Sequence, residues 1–244
     1  MIEAVEKIAE EDTEEGVRMR EIIIHVGFPR TGTTFLQEQI FGKLRNVCLI
    51  RSIRFPDWFR CRDKVIISHE SLSFRHYDSP AEEKFTVANA LKRIFPDAKI
   101  IVGIRDAQSW LRSLYSQYIR EGGTKTFDEF YKNFDKHHLD FDRYISHLRS
   151  LFDQVFVYRF EDFKRDKYRI IKEICDFIDE PVPVIDDIRY RPSLTERQIR
   201  AYRLINSLPF PNLVGKVIRY VINFVSHSQP QGEYVKCSKS AGRI

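Results

Sequence analysis

Apolar residues in this chain gather into five short runs, separated by longer stretches with helical spacing. Residues 22–26 (IIIHV) form a β-branched run interrupted only by His25, and 64–68 (KVIIS), 99–104 (KIIVGI) and 155–158 (VFVY) repeat the pattern. A weaker fifth run covers 46–50 (NVCLI). Near-continuous apolar runs of this length read as strands buried on both faces, the habit of a parallel sheet. The spacing between them predicts helices over 33–41, 80–95, the segment after Asp106, 127–134, 139–152, 164–179 and 194–207. Pro80 stands at a helix start with acidic residues in the first turn. Residues 193–196 (SLTE) read as a capping box, and 135–138 (DKHH) as a solvated turn.

Length and composition narrow the class. A chain of 244 residues with 43% hydrophobic content suits one large α/β domain. The expected organisation is a charged, weakly ordered lead-in over 1–20, a single domain over 21–228 and a polar tail over 229–244. A net charge of +5 fits an anionic cofactor or an acidic acceptor. Charges of both signs amount to 31% of residues, so the excess does not point to nucleic acid. Cysteines stand alone at 48, 61, 175 and 237, which reads as reduced thiols rather than a zinc site or disulfide scaffold. No stretch approaches the roughly 18 apolar residues of a membrane span. The first twenty residues are acidic and polar, unlike a signal peptide, so a cytoplasmic location is expected.

The chemistry starts where the first run ends. Gly27-Phe28-Pro29-Arg30-Thr31-Gly32 is a tight turn between a strand and a helix, a geometry that aims backbone N–H groups at an anion. Gly27 and Gly32 have the spacing of a nucleotide P-loop, and Thr34 stands at its Ser/Thr position. The lysine position holds Thr33, which argues against ordinary ATP or GTP hydrolysis. A cation stands inside the loop instead, at Arg30.

The stretch 28–35 (FPRTGTTF) resembles the 5′-phosphosulfate loop of sulfotransferases, which use PAPS (3′-phosphoadenosine 5′-phosphosulfate). By that resemblance Arg30, Thr31, Gly32, Thr33 and Thr34 hold the phosphosulfate. Phe35 falls where some members stack an aromatic on the adenine; packing against the sheet is the other reading. The sequence after the fourth helix-forming stretch's preceding strand, Ile104-Arg105-Asp106 and then a helix, resembles the family's 3′-phosphate element, with Arg105 and Ser113 eight residues apart. Asp106 also admits a Walker-B reading with Mg²⁺, which Arg105 beside it opposes.

His69 and Glu70 follow the strand 64–68, and ligands of parallel sheets sit at the carboxyl ends of strands. Ser68-His69-Glu70 resembles the Ser-x-Glu of bacterial carbohydrate-type members, and Ser68-His69 the Thr-His of cytosolic ones, so Glu70 or His69 is the expected general base. The corner 158–162 (YRFED) resembles a structural element of the same family.

The resemblance implies a three-layer α/β/α fold with a central parallel sheet, of the P-loop NTPase-like sulfotransferase type. It implies transfer of a sulfuryl group from PAPS to an acceptor hydroxyl, with 3′,5′-ADP (PAP) as product and no metal. Arginines and aromatics in 51–63 (RSIRFPDWFRCRD) read as a surface loop tucked over the core by its aromatics or as a wall for a sugar or anionic acceptor, and a carbohydrate or glycan is the expected acceptor. The apolar stretch 212–225 packs on the domain or, less favoured, touches a membrane or lipid-linked acceptor. Two alternatives stand beside this: a P-loop kinase-like phosphotransferase using Mg-ATP, and a non-catalytic 3′,5′-ADP-binding scaffold.

Overall fold

In the computed structural model, residues 21–51, 64–186 and 193–207 are described. Expectations for 1–20, most of 51–63, 212–225 and 229–244 lie outside those residues. The chain divides into two compact units, 1–118 with 125–193, and 119–124 with 194–244.

The described residues of the first unit form five parallel strands in the order β2-β3-β1-β4-β5. They are β1 Glu21–His25, β2 Val47–Ile50, β3 Lys64–Ser68, β4 Lys99–Ile104 and β5 Val155–Arg159. All five are runs expected from the apolar pattern. β1 lies between β3 and β4, with His25 beside both Ser68 and Ile101. The chain fills one side of β1 before crossing to the other. The loops after β1, β3 and β4 therefore open at one edge, where the strand order reverses and α/β sheets bind ligands.

Helices cover the sheet in a three-layer α/β/α arrangement. They are α1 Thr33–Phe35, α2 Glu83–Ile94, α3 Ala107–Arg120, α4 Phe127–Asn133, α5 Phe141–Leu151, α6 Phe160–Arg165 and α7 Lys167–Phe177. Ile23, Ile66 and Ile101 of the sheet pack with Phe35, Leu36, Phe163, Ile170 and Ile174 in one core. On α3 and α5, Trp110, Phe141 and Tyr144 meet Phe28 edge-on, with ring centroids 5.8, 4.9 and 5.7 Å away.

Local chemistry moves several boundaries. The expected helix 164–179 is two helices, because the Asp166 side chain caps Arg169 N at 3.0 Å and starts α7 afresh. The 135–138 turn is not fully solvated. His138 is 1% exposed, with Nε2 2.9 Å from Ser79 O and its ring against Phe74. Cys48 is disulfide-bonded, against the expectation of four reduced thiols, while Cys175 is a buried free thiol. Disulfides persist in oxidising compartments, so cysteine usage lends the cytoplasmic expectation no support. Among the described residues no helix is long and apolar enough to cross a membrane.

The described part of the second unit contains α8, Glu196–Asn206. Its cap is Thr195 paired with Gln198, a capping box shifted from the expected 193–196. Within that unit Asn206 Nδ2 donates to the carbonyls of Ile119 and Gly123 at 2.9 and 2.8 Å.

Candidate active site

The loop after β1 is shaped by two close approaches and two left-handed residues. A Cβ on Gly27 would lie 2.6 Å from Thr33 Oγ1 and 2.8 Å from His25 Nε2, so no larger residue fits there. Gly32 has φ 97°, and Arg30 has φ 67°, a conformation that costs a side-chain-bearing residue energy. Tertiary contacts fix the turn. Thr31 Oγ1 donates to Phe28 O at 2.6 Å, and Trp110 Nε1 donates to Pro29 O at 2.8 Å. Tyr158 Oη donates to Thr31 O at 3.2 Å. Burial pushes the Tyr158 phenol up, with the charge of Glu70 adding to the rise, so it stays a donor.

The two sequence motifs meet. Arg30 Nε donates to Ser113 Oγ at 2.9 Å, and Ser113 Oγ lies 3.2 Å from Ser193 Oγ. Arg105 Nη1 donates to Arg30 O at 3.3 Å, and its Nε to Ser109 Oγ at 2.6 Å. The Arg105 guanidinium stacks 4.9 Å from the centre of the Phe160 ring. Burial lowers its pKa against the raising charges of Glu161 and Asp106, and an arginine remains cationic regardless. Both cations thus sit at the carboxyl edge of the sheet, joined through the loop backbone. Ser113, expected beside Arg105, is hydrogen-bonded to Arg30, and Ser109 is the serine on Arg105.

Asp106 accepts Ser109 N–H at 2.8 Å and caps α3. That explains the acid beside Arg105 without a metal role. Phe35 is in the core, 5.5 Å from Phe163 and beneath Lys167 Nζ at 5.1 Å, the packing alternative of its two readings. Thr33 is buried with Oγ1 3.5 Å from Phe28 O; Thr34 is half-buried at the start of α1.

His69 and Glu70 follow β3, and Glu70 opens a 3-10 turn, Glu70–Leu72. His69 Nδ1 accepts Ser71 N–H at 3.1 Å and contacts Ser71 Oγ at 2.6 Å. Burial lowers the His69 pKa. The neutral ring therefore carries its proton on Nε2, and both nitrogens are committed or protonated. Glu70 is half-buried, and its charge reaches Tyr158, which holds the loop at Thr31.

Sequence reasoning missed Ser109 and Tyr158. Ser109 was legible as Arg105 plus four, a neighbour on a helix face. Tyr158 was not, because its reach depends on its register opposite Gly103.

Comparison with known proteins bears on the family pattern and the fold. Residues 78–184, which contain Arg105 and Ser113, match the model described as the sulfotransferase family. No curated protein matches. A sulfotransferase from Alicyclobacillus acidocaldarius superposes with a TM-score of 0.52 at 15% identity, covering 84% of this chain and 97% of the other. Mouse sulfotransferase SULT7A1, solved with PAP, gives a TM-score of 0.45 at 16% identity over 83% and 69%. The sulfotransferase domain from the curacin biosynthetic pathway gives 0.44 at 13% over 84% and 98%. At such identity the likeness to the first is one of fold. Residues 78–184 thus carry the sulfotransferase family pattern, and the fold is similar to that of the Alicyclobacillus sulfotransferase.

Proposed function

We propose that this chain transfers a sulfuryl group from PAPS to an acceptor hydroxyl. The observation that carries the reading is the meeting of the two cations, Arg30 held on Ser113 and Arg105 held on the Arg30 carbonyl, at one loop. A loop with an arginine and no Walker lysine suits a phosphosulfate better than a triphosphate. A planar fork at Arg105 suits the ribose 3′-phosphate, with Ser113 on the neighbouring turns of α3.

The backbone N–H groups of residues 31–34, with Thr33 and Thr34 hydroxyls, hold the 5′-phosphosulfate. Glu70 takes the acceptor proton, since the His69 Nδ1 lone pair is spent on Ser71. The acceptor oxygen forms its bond to sulfur as the sulfur–oxygen bond to the 5′-phosphate breaks, in line. The electron pair leaves with 3′,5′-ADP, and Arg30 stabilises the charge growing there. The acceptor we infer is a carbohydrate or glycan hydroxyl, from the arginine- and aromatic-rich stretch 51–63.

Incubation with sulfur-labelled PAPS and a panel of glycans, phenols and alcohols tests this. Label on a glycan hydroxyl supports the reading in full. Phosphorylation with Mg-ATP, or nucleotide binding with no label on any acceptor, overturns it in favour of a kinase or a scaffold.

A further inference from the structure

Beneath the anion loop lies a buried polar chain that the transfer mechanism does not use. His25 ends β1, Ser68 ends β3, and the two are paired in register. Both are 0% exposed. His25 Nδ1 lies 2.8 Å from Ser68 Oγ. Gln37, one residue into the wide π turn Leu36–Ile40 that follows α1, donates through Nε2 to Ser68 O and Ser68 Oγ, each at 3.0 Å. Such wide turns inside helices recur at functional sites.

Counting donors and acceptors favours one arrangement of the protons in this chain. Turning the Gln37 amide over would set its carbonyl against the Ser68 carbonyl, so Nε2 must face Ser68. Ser68 Oγ accepts from Gln37, and of the two ways to fill its contact with His25, only donation to Nδ1 gives the Ser68 hydroxyl proton a partner among the described residues. His25 is neutral, its pKa lowered to about 3 by burial. Its one ring proton is therefore on Nε2.

That Nε2–H has no hydrogen-bond partner among the described residues. It faces the loop: the point where a Gly27 Cβ would stand is 2.8 Å from His25 Nε2 and 2.6 Å from Thr33 Oγ1. The Thr33 hydroxyl in turn has, among the described residues, only a long contact, 3.5 Å to Phe28 O. A buried donor without a partner is costly, and it stands beside a hydroxyl whose own proton is barely held.

We propose that Gln37, Ser68 and His25 form a positioning relay for the anion loop, in which His25 Nε2–H donates to Thr33 Oγ1 when an anion is bound and so turns the Thr33 proton onto that anion. His25 touches no reacting atom. The relay rests on the proposed function only for the identity of the anion, the 5′-phosphate end of the nucleotide. It also accounts for the one polar residue in the otherwise apolar run 22–26.

Long-range imidazole nitrogen–proton NMR on the wild-type protein reads the tautomer directly. The expected result is an Nε2–H tautomer for His25, and an Nε2–H resonance that moves downfield on adding 3′,5′-ADP. By titration, His25→Gln and Thr33→Val should each weaken 3′,5′-ADP binding about tenfold, with the double variant no weaker than either. An Nδ1–H tautomer, an Nε2–H resonance unmoved by bound nucleotide, or additive losses would overturn the relay. If 3′,5′-ADP does not bind, the proposed function falls, and the relay is then judged on inorganic phosphate: the same resonance must move, or the relay fails too. Because the wild-type spectrum carries the first two readouts, poor folding of a variant leaves the test intact.

Discussion

Arg30 and Ser113, 83 residues apart, are joined by a 2.9 Å hydrogen bond from Nε to Oγ. The bond ties the cation of the anion loop to the helix that follows the second motif. It draws into one place two groups that the sequence assigned to opposite ends of a nucleotide. It also steadies an Arg30 backbone held at φ 67°.

Arg30→Ala should lower kcat by about 10²–10³-fold, the usual cost of one donor that stabilises transition-state charge. Arg30→Gly should be equally inactive yet more stable than Arg30→Ala by roughly 1 kcal/mol, because only glycine adopts the left-handed conformation without penalty. Steady-state kinetics and urea unfolding check both halves. Wild-type turnover in either variant would remove Arg30 from the chemistry.

Glu70→Gln should slow transfer far more than His69→Ala. His69 Nδ1 accepts the Ser71 N–H and caps the turn, so its loss should appear chiefly as a stability loss of about 1 kcal/mol, the worth of a cap. Single-turnover rates and melting curves for the two variants separate the roles. A His69→Ala rate below that of Glu70→Gln would hand the base to histidine.

Gly103→Ala should destabilise the protein by about 1–3 kcal/mol, an overpacking cost, and weaken nucleotide binding. An added Cβ would lie 2.3 Å from Tyr158 Oη and Cζ, forcing the phenol off Thr31 O. Tyr158→Phe, which loses only the hydroxyl, should cost less. Urea unfolding of the pair reads the order; a Gly103→Ala protein as stable as wild type would mean that the Tyr158 contact does not hold the loop.

Acid should destabilise the fold through His25. Its folded pKa is lowered to about 3 by burial, from an ordinary 6.5. Below pH 6.5 the unfolded chain takes a proton that the folded chain refuses. The contribution is whole above pH 6.5 and is lost as pH falls towards 3, at up to about 1.4 kcal/mol per pH unit. His69 and His138, also lowered by burial, act with the same sign. Urea unfolding at pH 7 and pH 5 should show a smaller difference for His25→Gln than for wild type. Identical differences would mean that His25 does not titrate in this way.

Much of this was legible before the fold was known. Five apolar runs became five strands, because near-continuous β-branched runs have little else to do in an α/β chain. The loop at 27–34 and the Arg105–Ser113 spacing could be singled out as candidates because such motifs are local in sequence. The partners could not. Spacing placed Ser113 with Arg105, but α3 lies against the loop so that Ser113 meets Arg30 and Ser109 meets Arg105. The Tyr158 contact and the Gln37–Ser68–His25 chain need strand order and register, which no single run encodes. Asp166 split a helix through a side-chain cap that the apolar period alone does not mark.

Calorimetric titration of the wild-type and Arg105→Ala proteins with 3′,5′-ADP, 5′-AMP and Mg-ATP tests the central claim most directly. The wild type should bind 3′,5′-ADP well and Mg-ATP poorly. Arg105→Ala should lose at least tenfold in 3′,5′-ADP affinity, about 1.4 kcal/mol, while 5′-AMP affinity changes little. Equal losses for both adenosine nucleotides, or a preference for Mg-ATP, would contradict it.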